Sequence, residues 1–263
     1  MHIRMTVFSV PKDGNPDDDW EDKAVVRLRP DGSLRFLVLD GASEAFDTVR
    51  WVDQIAGSYA PASGTARVPR LDQDDMSEWF GHLQKRWAER RPQFRTPIEE
   101  RKFHEVGSYA TMLAGVVTDV DGPTARWQAM ALGDTVLFHV RGRRLLAHFP
   151  PLSDDEFDRY PAGLSTKPAK RAEMVVGLRD ADGLLEPGDT LLVATDALAQ
   201  WILRRMTLDG ASLFDHLSGL AHPDSFAALV GDLRKAKEIV DDDVTLVRID
   251  FSATAPAYLV VCQ

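Results

Sequence analysis

The segment from residue 109 to residue 149 constrains the fold more than any other part of the sequence. Short apolar segments are separated there by turn dipeptides, among them Asp121-Gly122, Gly133-Asp134 and Arg141-Gly142. Apolar runs bounded by such turns predict β-strands. We therefore expect an antiparallel meander, with strands over residues 109–118, 126–132, 135–140 and 143–149.

The rest of the chain alternates between strand-like and helix-like segments. Residues 24–28 and 34–39 flank the turn Asp31-Gly32, which predicts a hairpin. Apolar residues recur at helical spacing over residues 46–59 and 76–87. The same criteria predict further strands over residues 6–10, 174–178, 190–195 and 244–249, and helices from Leu198 and over residues 226–233.

No repeat, low-complexity tract or break in composition divides the 263 residues. We expect a single domain over residues 1–263, with a surface flap over the polar, proline-containing stretch 150–171. Cys262 is the one cysteine, so an internal disulfide framework and CxxC zinc motifs are excluded. The first residues lack an apolar leader, and no apolar run is long enough to span a membrane. A cytoplasmic monomer that does not bind membranes is the expectation.

Acidic residues exceed basic ones by 41 to 31, which gives a formal charge of −10. This charge disfavours binding to nucleic acid, which depends on clustered lysine and arginine. Several of the acids lie beside predicted strand ends, where they can converge in space. They are Glu21, Asp22, Asp40, Asp196 and Asp242, together with Asp134 in a predicted turn.

Carboxylates without histidine or cysteine suit hard cations such as Mg²⁺ or Mn²⁺. Two such ions can activate a water molecule for attack on a phosphate ester. Each acid also has a simpler interpretation: Asp40 could belong to a turn, Asp196 could cap a helix, and Asp242 could be solvated. Asp134 stays open between a turn residue and a ligand, but the ordered set favours a metal site.

The order of the acidic motifs resembles that of the type 2C (PPM) metal-dependent serine/threonine protein phosphatases. In chain order the motifs are Glu21-Asp22, Asp40-Gly41, Gly133-Asp134-Thr135, Thr195-Asp196 and Asp242-Asp243-Val244-Thr245. The resemblance implies an α+β fold, a four-layer α-β-β-α sandwich in which helices flank two antiparallel sheets. It also implies hydrolysis of phosphoserine and phosphothreonine in protein substrates by a metal-bridged hydroxide.

Carried over residue by residue, the resemblance implies catalysis with two Mn²⁺ or Mg²⁺ ions. Asp40 would bridge both ions, and Gly41 would offer its backbone carbonyl to one of them. Glu21 would complete the shell of one ion, while Asp196 and Asp242 would hold the other.

The resemblance gives the remaining acids supporting roles in the same metal set. Asp134 would bind a third ion, sharing it with Asp196. Asp22 would orient water molecules around the ions.

Two departures from the family pattern leave an alternative function open. Residues 17–20, just before Glu21-Asp22, contain no arginine, so Lys12 is the candidate phosphate-binding residue, and Ala42-Ser43-Glu44 stands where the family has His-Gly-Gly or Met-Gly-Gly. The alternative is a binding or signalling module with this fold and little or no turnover. A carboxylate-based metal hydrolase acting on nucleic acid is a third, which the negative charge disfavours.

Overall fold

The computed structural model describes residues 1–14, 20–61, 68–90, 92–157 and 161–254. The strands are β1 (His2–Val10), β2 (Lys23–Leu28), β3 (Leu34–Gly41), β4 (Tyr109–Thr118), β5 (Ala125–Leu132), β6 (Val136–Arg141), β7 (Arg144–Phe149), β8 (Leu164–Ser165), β9 (Arg179–Leu185), β10 (Asp189–Ala194) and β11 (Val244–Ser252). The α-helices are α1 (Thr48–Tyr59), α2 (Gln73–Ala88), α3 (Pro97–Arg101), α4 (Arg171–Gly177), α5 (Asp196–Gly219) and α6 (Pro223–Lys235). A π-helical turn spans Lys102–Val106, and a 3₁₀ turn spans Pro168–Lys170.

The strands form two antiparallel sheets. The first has the order β1-β11-β10-β6-β7, and the second has the order β2-β3-β4-β5-β9 with β8 paired to β4. The predicted hairpin is confirmed, because β2 pairs with β3 around the Asp31-Gly32 turn. The predicted helices over residues 46–59, 76–87 and 226–233 are confirmed by α1, α2 and α6.

Strand β3 shows how the layers stack. Phe36 and Val38 belong to the apolar cluster between the sheets, whereas Leu37 and Leu39 pack under α1 and α2. Successive side chains of a strand point to opposite faces. Both faces of β3 are therefore covered, which explains its unbroken apolar run. A third cluster joins α5 and α6 to the first sheet, so the predicted four-layer α-β-β-α sandwich is confirmed.

The predicted meander is wrong in its pairing. β4 pairs with β5 in the second sheet and β6 pairs with β7 in the first, so the chain changes sheet at Gly133-Asp134. Gly133 has a φ of 107°, and a Cβ there would lie 2.6 Å from both the Thr111 Cβ and the Ala162 carbonyl oxygen. Only glycine fits this crowded corner.

The predicted strand over residues 174–178 is also wrong. These residues lie in α4 and at its end, and the strand that follows is β9. Met174 and Leu178 are four residues apart, so they pack together against the second sheet while Val176 is exposed. The sequence did not predict β9, because this edge strand consists mostly of exposed polar residues and lacks an apolar pattern.

The single domain and the flap over residues 150–171 stay predictions. Within the flap range, Leu164 and Ser165 form β8 and are buried. None of the helices in the described ranges has the length and apolar character needed to cross a membrane.

Candidate metal centre

Strand register in the second sheet brings two of the acidic motifs together. Asp40, near the end of β3, pairs with Thr111 of β4. Lys23, at the start of β2, pairs with Leu39. Asp22 directly precedes Lys23, so it lies at the same end of the sheet as Asp40.

The first sheet ends at the same place. Ala194, the last residue of β10, pairs with Leu246 of β11 and with Val136 of β6. Asp196 therefore follows one strand end, and Asp242 and Asp134 precede its two neighbours. We call this side of the sandwich the acid end, and define it by Asp22, Asp40, Asp134, Asp196 and Asp242.

Asp40 lies at the electrostatic centre of the acid end. Burial raises the pKa of its carboxyl well above the ordinary value, and the nearby charges of Asp196, Asp22, Asp134 and Asp242 raise it further. Ionised carboxylates that face one another repel, so each disfavours the charged form of its neighbours. The structure thus brings these predicted site residues together.

Asp196 and Asp242 show the same effect on the first-sheet side. Burial, together with the charge of Asp242, raises the pKa of Asp196 to about 6. A hydrogen bond with Asp40 and the backbone N–H of Ala197 partly oppose this rise. Burial also raises the pKa of Asp242, against the opposing hydrogen bond from the Asp243 backbone.

Asp22 is fixed between the two sheets. Its side chain is 4% exposed, and its Oδ2 accepts a 3.0 Å hydrogen bond from Thr195 Oγ1. Thr195 Oγ1 in turn accepts a 2.9 Å bond from the Thr245 backbone N–H. Burial raises the pKa of Asp22 well above normal, hydrogen bonds from Thr245 and Thr195 oppose the rise, and the charges of Asp243 and Asp196 add to it.

The carboxylate of Glu21 is paired with the ammonium of Lys12. Lys12 Nζ lies 3.0 Å from Glu21 Oε2 and 2.7 Å from Ser43 Oγ, and Ser43 Oγ also donates to Glu21. Burial lowers the pKa of Lys12, but the hydrogen bond and charge of Glu21 outweigh it, so the pKa is raised. The Lys12 ammonium therefore stays charged beside Glu21.

Gly41 and Asp134 are held by close packing. A Cβ on Gly41 would lie 2.3 Å from Thr48 Cγ2 and 2.6 Å from the Glu21 carbonyl oxygen, so no larger residue fits. Asp134 is 3% exposed and follows the Gly133 corner. Burial, followed by the charge of Asp134, raises the pKa of Tyr109 to about 12.

Sequence reasoning missed the role of Asp243. This buried residue accepts hydrogen bonds from the backbone N–H groups of Lys12, at 2.9 Å, and Glu21, at 2.8 Å. It thereby holds both ends of the segment between β1 and β2 at the start of β11. Its position next to Asp242 in an acidic triplet gave no signal that separates a buried acid from a solvated one.

The acid end supplies only oxygen donors of the kind that hard cations prefer. Within the described ranges, no three His, Cys, Asp or Glu side chains already stand in an arrangement that could hold a metal ion. The carboxylates are close enough to shift one another's pKa, and side-chain rotations would be needed to converge them on one ion. Because all of these donors are oxygen atoms, the chemistry of the donor set fits Mg²⁺ or Mn²⁺.

No protein-family model matches the chain, and no curated protein matches its sequence. Solved structures do match. Serine/threonine phosphatase Stp1 from Staphylococcus aureus is 10% identical with a TM-score of 0.62, over 96% of each chain. The photosystem II phosphatase PBCP is 15% identical with a TM-score of 0.56, over 96% of this chain and 100% of its own.

A third match comes from a structure of the bacterial stressosome, described as a modular system adapted to control secondary messenger signalling. It is 16% identical with a TM-score of 0.52, over 95% of this chain and 100% of its own. At such identities the likeness concerns the fold. The chain therefore has the α+β sandwich fold that serine/threonine phosphatases of known structure share.

Proposed function

We propose that this chain is a type 2C (PPM) metal-dependent phosphatase that hydrolyses phosphoserine and phosphothreonine in proteins. The observation that carries the proposal is the acid end, where buried carboxylates raise one another's pKa in a phosphatase fold. An arrangement of mutually repelling carboxylates costs free energy that a bound cation offsets. We further propose a cytoplasmic monomer acting on phosphoproteins.

The proposed centre would hold two Mn²⁺ or Mg²⁺ ions. Asp40 would contact both ions, because the charges of four other acids act on its carboxyl and raise its pKa. Asp196 and Asp242 would hold one ion, and Glu21 with the Gly41 carbonyl would hold the other. When bound, the ions would supply a water nucleophile and neutralise phosphate charge.

Three further acids would have supporting roles in the proposed centre. Asp134 would hold a third ion together with Asp196. Asp22 would orient solvent, since Thr195 holds its carboxylate in one position. Asp243 would act through the backbone, because it fixes the loops that carry Lys12 and Glu21.

Lys12 is the proposed phosphate-binding residue. Its ammonium is charged and reaches the acid end through Glu21. It would turn from Glu21 to a phosphate oxygen when substrate enters. A lysine would bind phosphate as a point charge, without the paired hydrogen bonds of an arginine.

The flap over residues 150–171 would help to set substrate preference. Its supporting contacts are those of Ala162 with the Gly133 corner and of Pro161 with the Tyr109 hydroxyl. Shortening residues 151–157 should change selectivity among phosphopeptides more than turnover of an aryl phosphate. The reverse result would count against this role.

Hydrolysis of p-nitrophenyl phosphate with added Mn²⁺ tests the proposed function. We expect hydrolysis that stops with chelator and is lost in Asp40→Ala and Asp196→Ala. Activity that survives both the chelator and the substitutions would contradict the proposal. Circular dichroism of each variant would show that loss of activity is not loss of fold.

A binding or signalling module is the second candidate, and the Lys12–Glu21–Ser43 contact favours it. A lysine already neutralises the carboxylate that would serve one metal ion. Calorimetric binding of Mn²⁺ without hydrolysis of any member of a phosphopeptide panel would favour this candidate over the enzyme.

A further inference from the structure

A groove lined by three arginines lies on the outer surface of α1 and α2. Its walls are Arg50, Asp53 and Gln54 from α1, with Arg86 and Arg90 from α2 and the residues just after it. We call it the arginine groove. It is open to solvent and has a volume of about 430 Å³.

The charge of the arginine groove is opposite to that of the whole chain. The chain carries a formal charge of −10, whereas arginine predominates in the groove. Its acidic wall residue, Asp53, is paired with Lys23, whose Nζ lies 2.6 Å from Asp53 Oδ1. The groove therefore presents a local positive field on an acidic protein.

The arginines are positioned by their neighbours. The Arg90 guanidinium stacks over the Trp87 ring at 4.2 Å from its centroid, and its Nη2 lies 3.4 Å from Asp47 Oδ2. Arg50 Nη1 lies 3.5 Å from the same oxygen. Two guanidinium groups share one carboxylate, so positive charge stays in excess. Arg86 is exposed on α2.

The start of α1 and the Lys23–Asp53 ion pair connect the arginine groove to the acid end. Thr48, the first residue of α1, packs against Gly41, and Lys23 directly follows Asp22. Asp47, which anchors two groove arginines, immediately precedes Thr48. A peptide whose phosphate enters the acid end could therefore lay its neighbouring residues along α1.

We infer that the arginine groove docks an acidic segment of the phosphoprotein substrate, an inference that rests on the proposed function. Guanidinium groups bind carboxylates and phosphates through paired, charge-assisted hydrogen bonds. A protein segment is favoured over nucleic acid because nucleic-acid binding depends on neutralising many phosphates, and the groove offers three arginines.

Binding of a fluorescein-labelled peptide with a run of glutamates tests the groove without any catalysis. Fluorescence anisotropy in chelator keeps metal ions from contributing. The Arg50→Glu/Arg86→Glu variant should bind the peptide at least about tenfold more weakly than the unaltered chain. Arg126→Glu/Arg143→Glu is the matched control: it makes the same charge change, and its side-chain exposures of 64% and 69% match the 66% of Arg50.

Three results would overturn the inference. They are equal binding by the unaltered chain and the groove variant, an equal loss in the control variant, and duplex DNA displacing the peptide at equal charge concentration. With metal present, the groove variant should raise KM for a phosphopeptide bearing the glutamate run, with kcat and aryl phosphate turnover unchanged. If the unaltered chain does not hydrolyse the aryl phosphate, the proposed function is contradicted. The anisotropy result would still test whether the groove binds an acidic segment.

Discussion

Strand β10 places an aspartate near each end, and the two lie in opposite electrostatic surroundings. Asp189 begins the strand and accepts hydrogen bonds from Arg141 Nε at 2.6 Å, Arg141 Nη2 at 3.0 Å and the Glu186 backbone N–H at 2.9 Å. His139 Nε2 lies 3.0 Å from its Oδ2. Burial would raise the pKa of Asp189, but these bonds outweigh it and lower the pKa.

Asp196, just beyond the other end, faces acids rather than bases, and its pKa is raised to about 6. A buried acid with matched donors stabilises the fold, whereas one placed among other acids destabilises the metal-free fold. Such destabilising clusters concentrate at functional sites. The comparison separates a structural aspartate from a candidate metal ligand on one strand.

Asp189→Asn should give the largest effect on stability. The amide would place an N–H₂ group among donors, and its single oxygen would not replace both carboxylate oxygens for Arg141 and His139. We expect a loss of about 2 to 4 kcal/mol in the free energy of unfolding, measured by urea denaturation at pH 7. An unchanged midpoint would show that the bonds around Asp189 contribute little.

Asp196→Asn should raise the free energy of unfolding, the opposite of the effect of Asp189→Asn. Removing one charge from the acid end relieves repulsion, so we expect the metal-free protein to gain about 1 to 3 kcal/mol at pH 7. The same urea titration in chelator measures it. A destabilised variant would contradict the view that the acids repel one another in the metal-free fold.

The two aspartates should also differ in pH dependence. The raised pKa of Asp196 means that its stabilising contribution is full below its unfolded value of 3.8 and is lost as the pH rises towards 6. The lowered pKa of Asp189 gives a contribution that is present above 3.8 and lost in stronger acid. Unfolding titrations from pH 4 to 7 should show a fall in stability that Asp196→Asn flattens.

Lys12→Met should have the smallest effect. Removing the ammonium beside Glu21 should strengthen Mn²⁺ binding by roughly a few fold, because a like charge leaves the site. Binding of inorganic phosphate to the metal-loaded protein should weaken. Calorimetry measures both, with Lys170→Met as a control at an exposed ion pair. No change in either affinity would remove Lys12 from the proposed site.

Sequence alone predicted most of the strands, because they are short, apolar and bounded by turn residues, whereas the sandwich was implied by the resemblance of the acidic motifs to those of type 2C phosphatases. It also predicted that acids meet at strand ends, since antiparallel pairing of β2 with β3 fixes Glu21-Asp22 beside Asp40. Those predictions depend on patterns within short segments of the sequence, such as apolar spacing and turn residues.

The remaining features depend on contacts between distant residues. The change of sheet at Gly133 is set by its packing against Thr111 and Ala162. The burial of Asp243 is set by loops that precede β2. The polar sequence of β9 resembles a loop, because an edge strand need not carry an apolar pattern.

Titration of Mn²⁺ by calorimetry, with the aspartates at the two ends of β10 compared, tests the central claim most directly. The claim predicts that the unaltered chain binds Mn²⁺, that Asp196→Asn weakens binding at least about tenfold, and that Asp189→Asn, where still folded, binds within about twofold of the unaltered chain. Equal affinity in the unaltered chain and Asp196→Asn would contradict the assignment of the acid end as the metal centre.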